Sequence, residues 1–559
     1  MLDNPGHGAY ILAVPPSAGR GLLDTVVRGA RAYTAGDVAL SGDSIGIRDG
    51  AIVALGSWPE LREGVGATTT VLDVEGRTVT PAFIDSHTHF HRGAVLRHSF
   101  LDFERLAPAG VEDILAHVRA RAANAAASAW IQGDSLSASR LAEGRFPNRH
   151  ELDRAAPEHP VVLRGIGKHV VAANSRALAA AGIDRTTPDP DGGRLERDAD
   201  GEPTGVLHET AKLRLDQSRI DTVVPAPSAT DRQAALRAAY RDLHAVGIAT
   251  IHEIIRLPEE ADDHAALRAA GELGVRVRLF YRIHESPLSL DWLVRLGIRR
   301  GLGDDWLKVL GVKVSVDGFC IVRNAAVEAP YRNEPDNRGL LRIEADMLDD
   351  LVARANAQGL QVAIHAVGPR AVDMALDAFE RAGPALAGPH RLEHAYLDTD
   401  AARLGRARDL GLIWSVQPAF LDAYRREWAD AFEPDRVERI MPLRMGAALG
   451  LPIQFNSDFP CAPFDPLDGI RLAVSRNRDG SPSGNPEVVG IGDAWRAFTI
   501  TPADAADDVR LGRIAIGARA DLIVLDGQPF SADPDFAAVA VRATMVDGRL
   551  VHAPAGWGG

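Results

Sequence analysis

The chain has 559 residues, with 62 Lys and Arg against 76 Asp and Glu, which gives a formal net charge of −14. Its length exceeds the size that one hydrophobic core usually reaches, so we expect a large domain accompanied by smaller ones. The negative charge argues against nucleic acid or an anionic membrane as a partner, because both attract basic surfaces, and leaves a small-molecule substrate as the expectation.

Cysteine usage and the N-terminal sequence bear on the compartment. Cys320 and Cys461 are the two cysteines of the chain, too few for a disulfide framework. The early apolar stretch from Ala9 to Val14 lacks a basic leader and is short for an export signal. We therefore expect a cytoplasmic protein whose residues 1–23 form an N-terminal extension.

Residues 24–80 read as short β-segments separated by turns, and the Asp49-Gly50 pair between two alternating runs predicts a hairpin. The same pattern of short β-segments and turns recurs in residues 507–559, for example in the apolar run from Ala520 to Asp526. The simplest account is one composite β-sandwich built from both parts of the chain.

Residues 81–506 alternate between apolar strand candidates and Ala-rich helical stretches, which is typical of an α/β fold with parallel strands. The first strand runs from Phe83 to His89. Seven more begin near Val246, Val275, Leu307, Leu360, His390, Leu412 and Leu451. Eight such units predict a TIM-like (β/α)₈ barrel. The long gap at about residues 92–235 predicts an α/β insertion after strand 1, which we expect to cover the catalytic face and shape specificity.

The candidate chemistry begins with His87 and His89. Residues two apart on a strand point the same way, so both imidazoles can reach one divalent ion; the alternative is two ordinary polar residues at a strand end. A metal site needs further ligands from other strand ends. The candidates, each at or just after the end of a predicted strand, are His365, His394 and Asp458.

Lysine is rare in this chain and occurs only at Lys168, Lys212, Lys308 and Lys313. Lys313 lies within an apolar strand, where desolvation lowers the pKa of an amine and allows it to take up carbon dioxide as a carbamate. Such an anion can bridge two metal ions. The alternative is a buried ion pair with a carboxylate such as Asp317. Lys308 has the opposite strand parity, which favours a solvated or outer-layer position.

Four segments carry a family resemblance: Val79-Thr-Pro-Ala-Phe-Ile-Asp-Ser-His-Thr-His, Gly311-Val-Lys-Val-Ser-Val-Asp-Gly, Arg391-Leu-Glu-His-Ala and Asn456-Ser-Asp-Phe-Pro. The chain resembles the amidohydrolase superfamily, in the amidohydrolase 3 branch of exoenzyme-regulatory-type and N-substituted formamide deformylase-like proteins. This implies a metal-dependent hydrolase barrel with one or two zinc or other divalent ions. By motif, one ion would be held by His87, His89 and Asp458, the other by His365 and His394, with carboxylated Lys313 between them.

The resemblance predicts hydrolysis of a C–N bond in an amide, N-formyl or cyclic imide-like substrate by metal-activated water, with Asp458 as the catalytic proton carrier. We expect substrate contacts from His169, His252 and Arg323, although Arg323 can instead pair with Glu328. Alternatives are a deaminase or an ester or lactone hydrolase on the same centre, or a catalytically inactive regulatory or binding protein. A homodimer is the general expectation for quaternary structure.

Overall fold

The structure is a computed structural model that describes residues 22–38, 41–166, 169–215, 222–283, 289–477, 480–481, 483–531 and 534–557. Most of the predicted N-terminal extension, and Lys168, lie outside the described residues. The element bounds below follow the chain from its first described strand.

Seven strands precede the barrel, and they confirm the β-rich texture predicted for this part of the chain. They are β1 (Thr25–Arg28), β2 (Arg31–Thr34), β3 (Asp37–Val38), β4 (Ser44–Arg48), β5 (Ala51–Gly56), β6 (Thr70–Asp73) and β7 (Thr78–Pro81). Strands β4 and β5 pair antiparallel across Asp49 and Gly50, whose φ angles of 51° and 70° are those of a left-handed two-residue turn. The predicted hairpin is therefore confirmed.

After β8 (Phe83–Thr88) the chain leaves the barrel and forms a separate six-stranded sheet. Its strands are β9 (Leu101–Asp102), β10 (Ile131–Leu136), β11 (Val161–Gly165), β12 (Val170–Ala173), β13 (Gly193–Arg197) and β14 (Pro203–Glu209). Their order is β13-β14-β12-β11-β10-β9. Two apolar clusters, one containing Leu163 and Ile114 and the other Val162 and Leu178, cover opposite faces of this sheet with helices.

The barrel strands continue with β15 (Ile248–Ile255), β16 (Arg276–Arg282), β17 (Leu307–Ser315), β18 (Gln361–Ala366), β19 (Arg391–His394), β20 (Ile413–Val416) and β21 (Ile453–Phe455). The sheet order is β21-β20-β19-β18-β17-β16-β15-β8, and each ladder is parallel. Ser86 Oγ donates to the carbonyl of Phe455 at 2.9 Å, which brings the first and last strands together. The TIM-like α/β barrel is confirmed, with its eight strands where the sequence predicts them.

The last strands, β22 (Leu522–Asp526), β23 (Ala540–Val546) and β24 (Arg549–His552), return to the first ones. One sheet has the order β5-β4-β1-β6, and the other, β24-β23-β22-β7-β2-β3, mixes strands from both parts of the chain. A shared apolar core that includes Ile45, Val524 and Met545 lies between the two sheets. Arg276, at the start of β16, is fully buried and contacts Asp521 at 2.8 Å, which joins the barrel floor to this second domain.

The helices pack mainly around the barrel and on the inserted sheet. They are α1 (Trp58–Leu61), α2 (Phe90–Ser99), α3 (Phe103–Leu106), α4 (Val111–Ala123), α5 (Arg149–Ala155), α6 (Ser175–Ala181), α7 (Ala229–Ala245), α8 (Pro258–Ala269), α9 (Leu290–Arg295), α10 (Ala345–Ala357), α11 (Pro369–Ala382), α12 (Ala401–Asp409), α13 (Phe420–Ala423), α14 (Arg425–Ala431), α15 (Pro434–Glu438), α16 (Leu443–Ala448), α17 (Pro466–Ser475), α18 (Ile491–Ala497) and α19 (Ile500–Ala505). Among the described helices, none has both the length and the apolar character that crossing a bilayer requires.

Candidate metal centre

The six predicted metal ligands line one cavity of about 410 Å³ at the C-terminal ends of the barrel strands. They are contributed by five different strands or the residues directly after them: His87 and His89 from β8, Lys313 from β17, His365 from β18, His394 from β19 and Asp458 from the loop after β21. Parallel strands of a barrel end on the same face, so residues far apart in sequence meet there.

Asp458 lies at the centre of the cluster. Its Oδ1 is 3.5 Å from Nε2 of His87 and 3.5 Å from Nε2 of His89. His87, His394 and Asp458 offer ligand atoms that all lie within 4.8 Å of one another. Oδ1 of Asp458 is buried and has no hydrogen-bond partner among the described residues. A buried, unsatisfied carboxylate oxygen facing imidazole nitrogens is the environment that a divalent cation would complete.

Hydrogen bonds on the far side of three imidazoles orient them toward the cavity. Nδ1 of His87 lies 2.5 Å from Oε2 of Glu393, and Nδ1 of His89 lies 3.2 Å from the carbonyl of Ile254. Nδ1 of His394 lies 2.9 Å from Oε1 of Gln417. If each Nδ1 carries the proton and donates it, each Nε2 keeps a lone pair for a metal.

Burial lowers the pKa of these histidines, because an imidazolium is costly in a desolvated site. The pKa values of His87, His89 and His394 fall well below the ordinary value, and that of His365 falls to about 3; the nearby charge of Lys313 adds to the effect. At neutral pH all four are therefore neutral, which is the form that binds metal. Burial has the opposite effect on Asp458 and raises its pKa to about 7, although Lys313 opposes the rise.

Lys313 is buried with its Nζ 3.3 Å from Nε2 of His87. Burial lowers its pKa to about 8, which leaves part of the amine uncharged and nucleophilic near neutral pH. Asp317, the alternative partner, instead accepts backbone N–H bonds from Ala326, Val367 and Gly368, each at 2.9 Å. The contacts therefore do not support an ion pair between Lys313 and Asp317, although the charges of Glu393 and Asp458 act on Lys313 and raise its pKa against the effect of burial.

Lys308 differs from the expectation of a solvated or outer-layer residue. Its Nζ lies 2.5 Å from Asp508, and its side chain is only 17% exposed. The register between β16 and β17 shifts after Val309, so Leu310 is an additional residue in the ladder. That irregularity breaks the simple alternation on which the parity argument depends.

Two of the predicted ligands have backbone conformations that residues other than glycine adopt infrequently. The φ angle is 71° at His394 and 52° at Asp458. Left-handed backbone at such residues costs of the order of 1 kcal/mol or more and clusters at functional sites. At His394 it ends the regular alternation of β19, which places the imidazole over the cavity.

Glu393 and its partner Arg391 are functional candidates that sequence reasoning left without a role. The two carboxylate oxygens of Glu393 lie close to His87 Nδ1 and, at 2.6 Å, to Nη2 of Arg391, and neither Glu393 nor Arg391 reaches solvent. Burial alone would raise the pKa of Glu393, but Arg391 and Lys313 outweigh it and hold the pKa below its ordinary value. In the sequence, the signal that could have identified this pair was two charged residues spaced two positions apart in a buried strand.

The three predicted substrate contacts are not among the cavity-lining residues of the described chain. His169 is exposed and lies 3.0 Å from Glu209 in the insertion. His252 is buried inside the barrel, 3.2 Å from Arg391. Arg323 pairs with Glu334 and Asp430, not with Glu328. In this structure the side chains of His169, His252 and Arg323 thus make their contacts away from the cavity.

The predicted insertion, at about residues 92–235, contributes one described residue to the cavity wall, Arg92 of α2. The lining residues fall between His87 and Arg92 or at and beyond Arg256, so no described residue of the inserted sheet borders the cavity. That the insertion covers the site and shapes specificity stays a prediction.

The sequence matches the amidohydrolase family over residues 70–552. The chain belongs to this family. It is 30% identical to the protein YtcJ of Bacillus subtilis (strain 168), which bears the name amidohydrolase, over 91% of this chain and 96% of that protein. It is also 30% identical to the N-substituted formamide deformylase of Arthrobacter pascens, over 90% of this chain and 94% of the deformylase.

A solved structure extends the comparison to three dimensions. An uncharacterized metal-dependent hydrolase from Pyrococcus furiosus superposes with a TM-score of 0.73 at 25% identity, and the match covers 91% of this chain and 100% of the other. Membership of the amidohydrolase family, together with the ligand cluster at the barrel mouth, makes this chain a metal-dependent hydrolase of the amidohydrolase superfamily.

Proposed function

We propose that this amidohydrolase cleaves a C–N bond of an amide, N-formyl or cyclic imide-like substrate. The observation that carries the proposal is the position of Asp458 Oδ1, which is buried, unsatisfied within the described chain and equidistant from His87 and His89 at 3.5 Å. The full-length similarity to a formamide deformylase supports an amide or N-formyl substrate.

In this proposal His87, His89 and Asp458 would hold one ion and His365 and His394 a second, with carboxylated Lys313 between them. Zinc or another divalent ion, when bound, supplies Lewis acidity and brings the pKa of a water molecule toward neutrality. The Asp458 carboxylate would accept a proton from the attacking water and deliver it to the leaving nitrogen. The imidazoles next to Asp458 are neutral and would not compete with it for the proton of the attacking water.

The same residues also suit a deaminase or an ester or lactone hydrolase, because water attack and proton transfer by Asp458 are common to all three reactions. A regulatory protein without catalysis is the remaining alternative. The intact ligand cluster favours catalysis, since a protein that had lost its chemistry would have no need to keep an unsatisfied carboxylate buried. A cytoplasmic location and a homodimer stay predictions.

A substrate screen tests the proposal. The full-length protein is purified without chelator, its metal content is measured, and N-formyl amines, N-acyl amino acids, cyclic imides, aminopurines and lactones are offered with added zinc. Release of amine from an amide or formamide, lost when the metal is removed, is the expected result. Turnover of aminopurines or lactones alone would overturn the proposed bond class, and absence of bound metal would favour the regulatory alternative.

A further inference from the structure

A second cavity, of about 580 Å³, lies outside the candidate metal centre. Parts of α13, α14 and α15 line it, together with Arg476, which directly follows α17, and residues 483–487. The two cavities have no described lining residue in common. The hydrolytic chemistry proposed for the metal centre therefore makes no use of this second cavity.

Arg476 is the residue that marks this cavity as a candidate binding site. It borders the cavity and is only 6% exposed. Its Nη2 donates to the carbonyl of Ile440 at 2.8 Å, whereas Nε and Nη1 have no hydrogen-bond partner among the described residues. Buried charged donors are seldom left unsatisfied, because their desolvation is costly. Arg476 thus has donors that a ligand with acceptor oxygens would satisfy.

The charges around Arg476 do not compensate for its burial. Glu487 borders the same cavity, but its Oε2 accepts the backbone N–H of Met445 at 3.1 Å, and it forms no hydrogen bond with Nε or Nη1 of Arg476. Burial lowers the pKa of Arg476 to about 10; the charge of Glu487 opposes this shift, and that of Arg425 adds to it. The guanidinium is still charged at neutral pH, and the lowered pKa indicates that its surroundings stabilise the charge less well than water does.

Arg425 provides a second guanidinium beside Arg476. Its Nη2 donates to the carbonyl of Arg476 at 3.0 Å, and the residue is exposed. Glu438 and Arg439 also border the cavity and carry opposite charges, so they do not change the balance. The apolar part of the wall consists of Leu421, Trp428 and Val437. An anionic group next to an apolar group would be complementary to this combination.

Aromatic contacts connect the second cavity to the wall of the metal-centre cavity. Trp428 borders the second cavity, and its Nε1 donates to Sγ of Cys320 at 3.0 Å. Its ring centroid lies 6.4 Å from that of Tyr424, which in turn packs against Phe319 at 5.1 Å. Phe319 lines the metal-centre cavity. The second cavity is therefore separate from the hydrolytic one but linked to its wall by packed side chains.

We propose that the second cavity is a binding site for a small oxyanion, which Arg476 binds with Arg425 beside it. The oxyanion can belong to a carboxylate or to a phosphate, since both offer acceptor oxygens to a guanidinium. An apolar group on the same molecule would contact Leu421, Trp428 and Val437. The inference goes beyond the proposed function and does not depend on it, because no residue of the metal cluster takes part.

Isothermal titration calorimetry of the metal-loaded, full-length protein with three probes tests the inference. Inorganic phosphate and benzoate distinguish the two sources of the oxyanion, and benzyl alcohol is the neutral counterpart of benzoate. We expect at least one of the two anions to bind at least about 10-fold more tightly than benzyl alcohol, as a charged hydrogen bond in a buried site provides. Binding of neither anion, or binding of benzyl alcohol as tight as that of the anions, would overturn the inference.

Variants locate the bound anion, because an anion held by the metal centre does not require Arg476. Arg476→Gln should weaken anion binding about 10-fold or more, and Arg425→Gln, at an exposed position, should weaken it about 3-fold. Arg408→Gln, on the outer helix α12 and paired with Asp409, should leave the affinity unchanged. Circular dichroism and metal content check that each variant is folded and loaded. An unchanged affinity in folded Arg476→Gln would refute the site; if that variant does not fold, an unchanged affinity in Arg425→Gln refutes it.

Discussion

Nδ1 of His87 lies 2.5 Å from Oε2 of Glu393, at a point inside the barrel where the two side chains are 1% and 0% exposed. Glu393 is in turn paired with Arg391, and the guanidinium of Arg391 lies 4.7 Å from the ring centroid of Phe280. The orientation of the cavity-facing edge of His87 is thus set by residues that do not line the cavity. A hydrogen bond to the imidazole nitrogen that faces away from a metal makes the metal-binding nitrogen more basic and fixes the tautomer.

Glu393→Gln should weaken metal binding by about 10- to 100-fold, because the amide keeps the shape but removes the charge that holds His87 and neutralises Arg391. Metal retention during dialysis against a competing chelator measures the effect, and circular dichroism checks the fold. Glu380→Gln, at an exposed position on α11, is the control. Unchanged retention in a folded Glu393→Gln protein would show that this contact does not tune the site.

Asp458→Asn should retain metal but lower kcat by about 10²- to 10⁴-fold, since an amide cannot accept the proton of the attacking water. Steady-state kinetics with metal analysis of the same sample separates loss of chemistry from loss of the ion. Asp465→Asn alters a carboxylate in the same loop that caps α17 and does not line the cavity, so it should keep its activity. Nearly full turnover in Asp458→Asn would refute the assigned role.

Lys313→Ala should lose most of its bound metal and activity, and a small carboxylate such as propionate should restore part of both by occupying the space of the missing carbamate. Native mass spectrometry of the wild-type protein should show the added mass of one carbon dioxide. Lys308→Met, which removes the ion pair with Asp508, should keep the metal. A wild-type mass without that addition, together with no rescue, would argue that Lys313 acts as a plain amine.

Arg276→Met should destabilise the protein by about 3 to 5 kcal/mol, because it leaves the carboxylate of Asp521 buried without its partner. Chemical denaturation followed by fluorescence and by circular dichroism measures the change. The matched control is Arg28→Met, whose pair with Asp73 is exposed and should contribute less than about 1 kcal/mol. Equal effects of the two substitutions would mean that the junction between barrel and second domain contributes little.

Much of this architecture is predictable because barrel strands are short apolar runs that end in polar residues. His87, His365 and Asp458 are each found at such an end, and all three meet at the cavity. Strand alternation also identifies Lys313, since a lone lysine between Val312 and Val314 must face the barrel interior while both valines join the outer core.

Other features depend on backbone irregularities and long-range contacts that a pattern does not encode. Alternation would place His394 with Leu392 on the outer face, and only the left-handed backbone at His394 brings its imidazole to the cavity. The additional residue Leu310 changes the environment of Lys308 in the same way. The arginines that line the cavity, Arg92, Arg256, Arg282 and Arg342, come from four separate parts of the chain, so no local sequence segment predicts that they meet.

The position of β7 has a consequence for biosynthesis. This strand, whose Val79 pairs with Ala32 and Val524, ends just before β8, which carries His87. On the ribosome β2 and β7 emerge early, whereas β22 emerges only after the whole barrel has been made, so one edge of β7 stays unpaired throughout. We expect nascent chains arrested before residue 522 to need chaperone protection and to bind no metal, which pull-down and metal analysis of arrested chains would test.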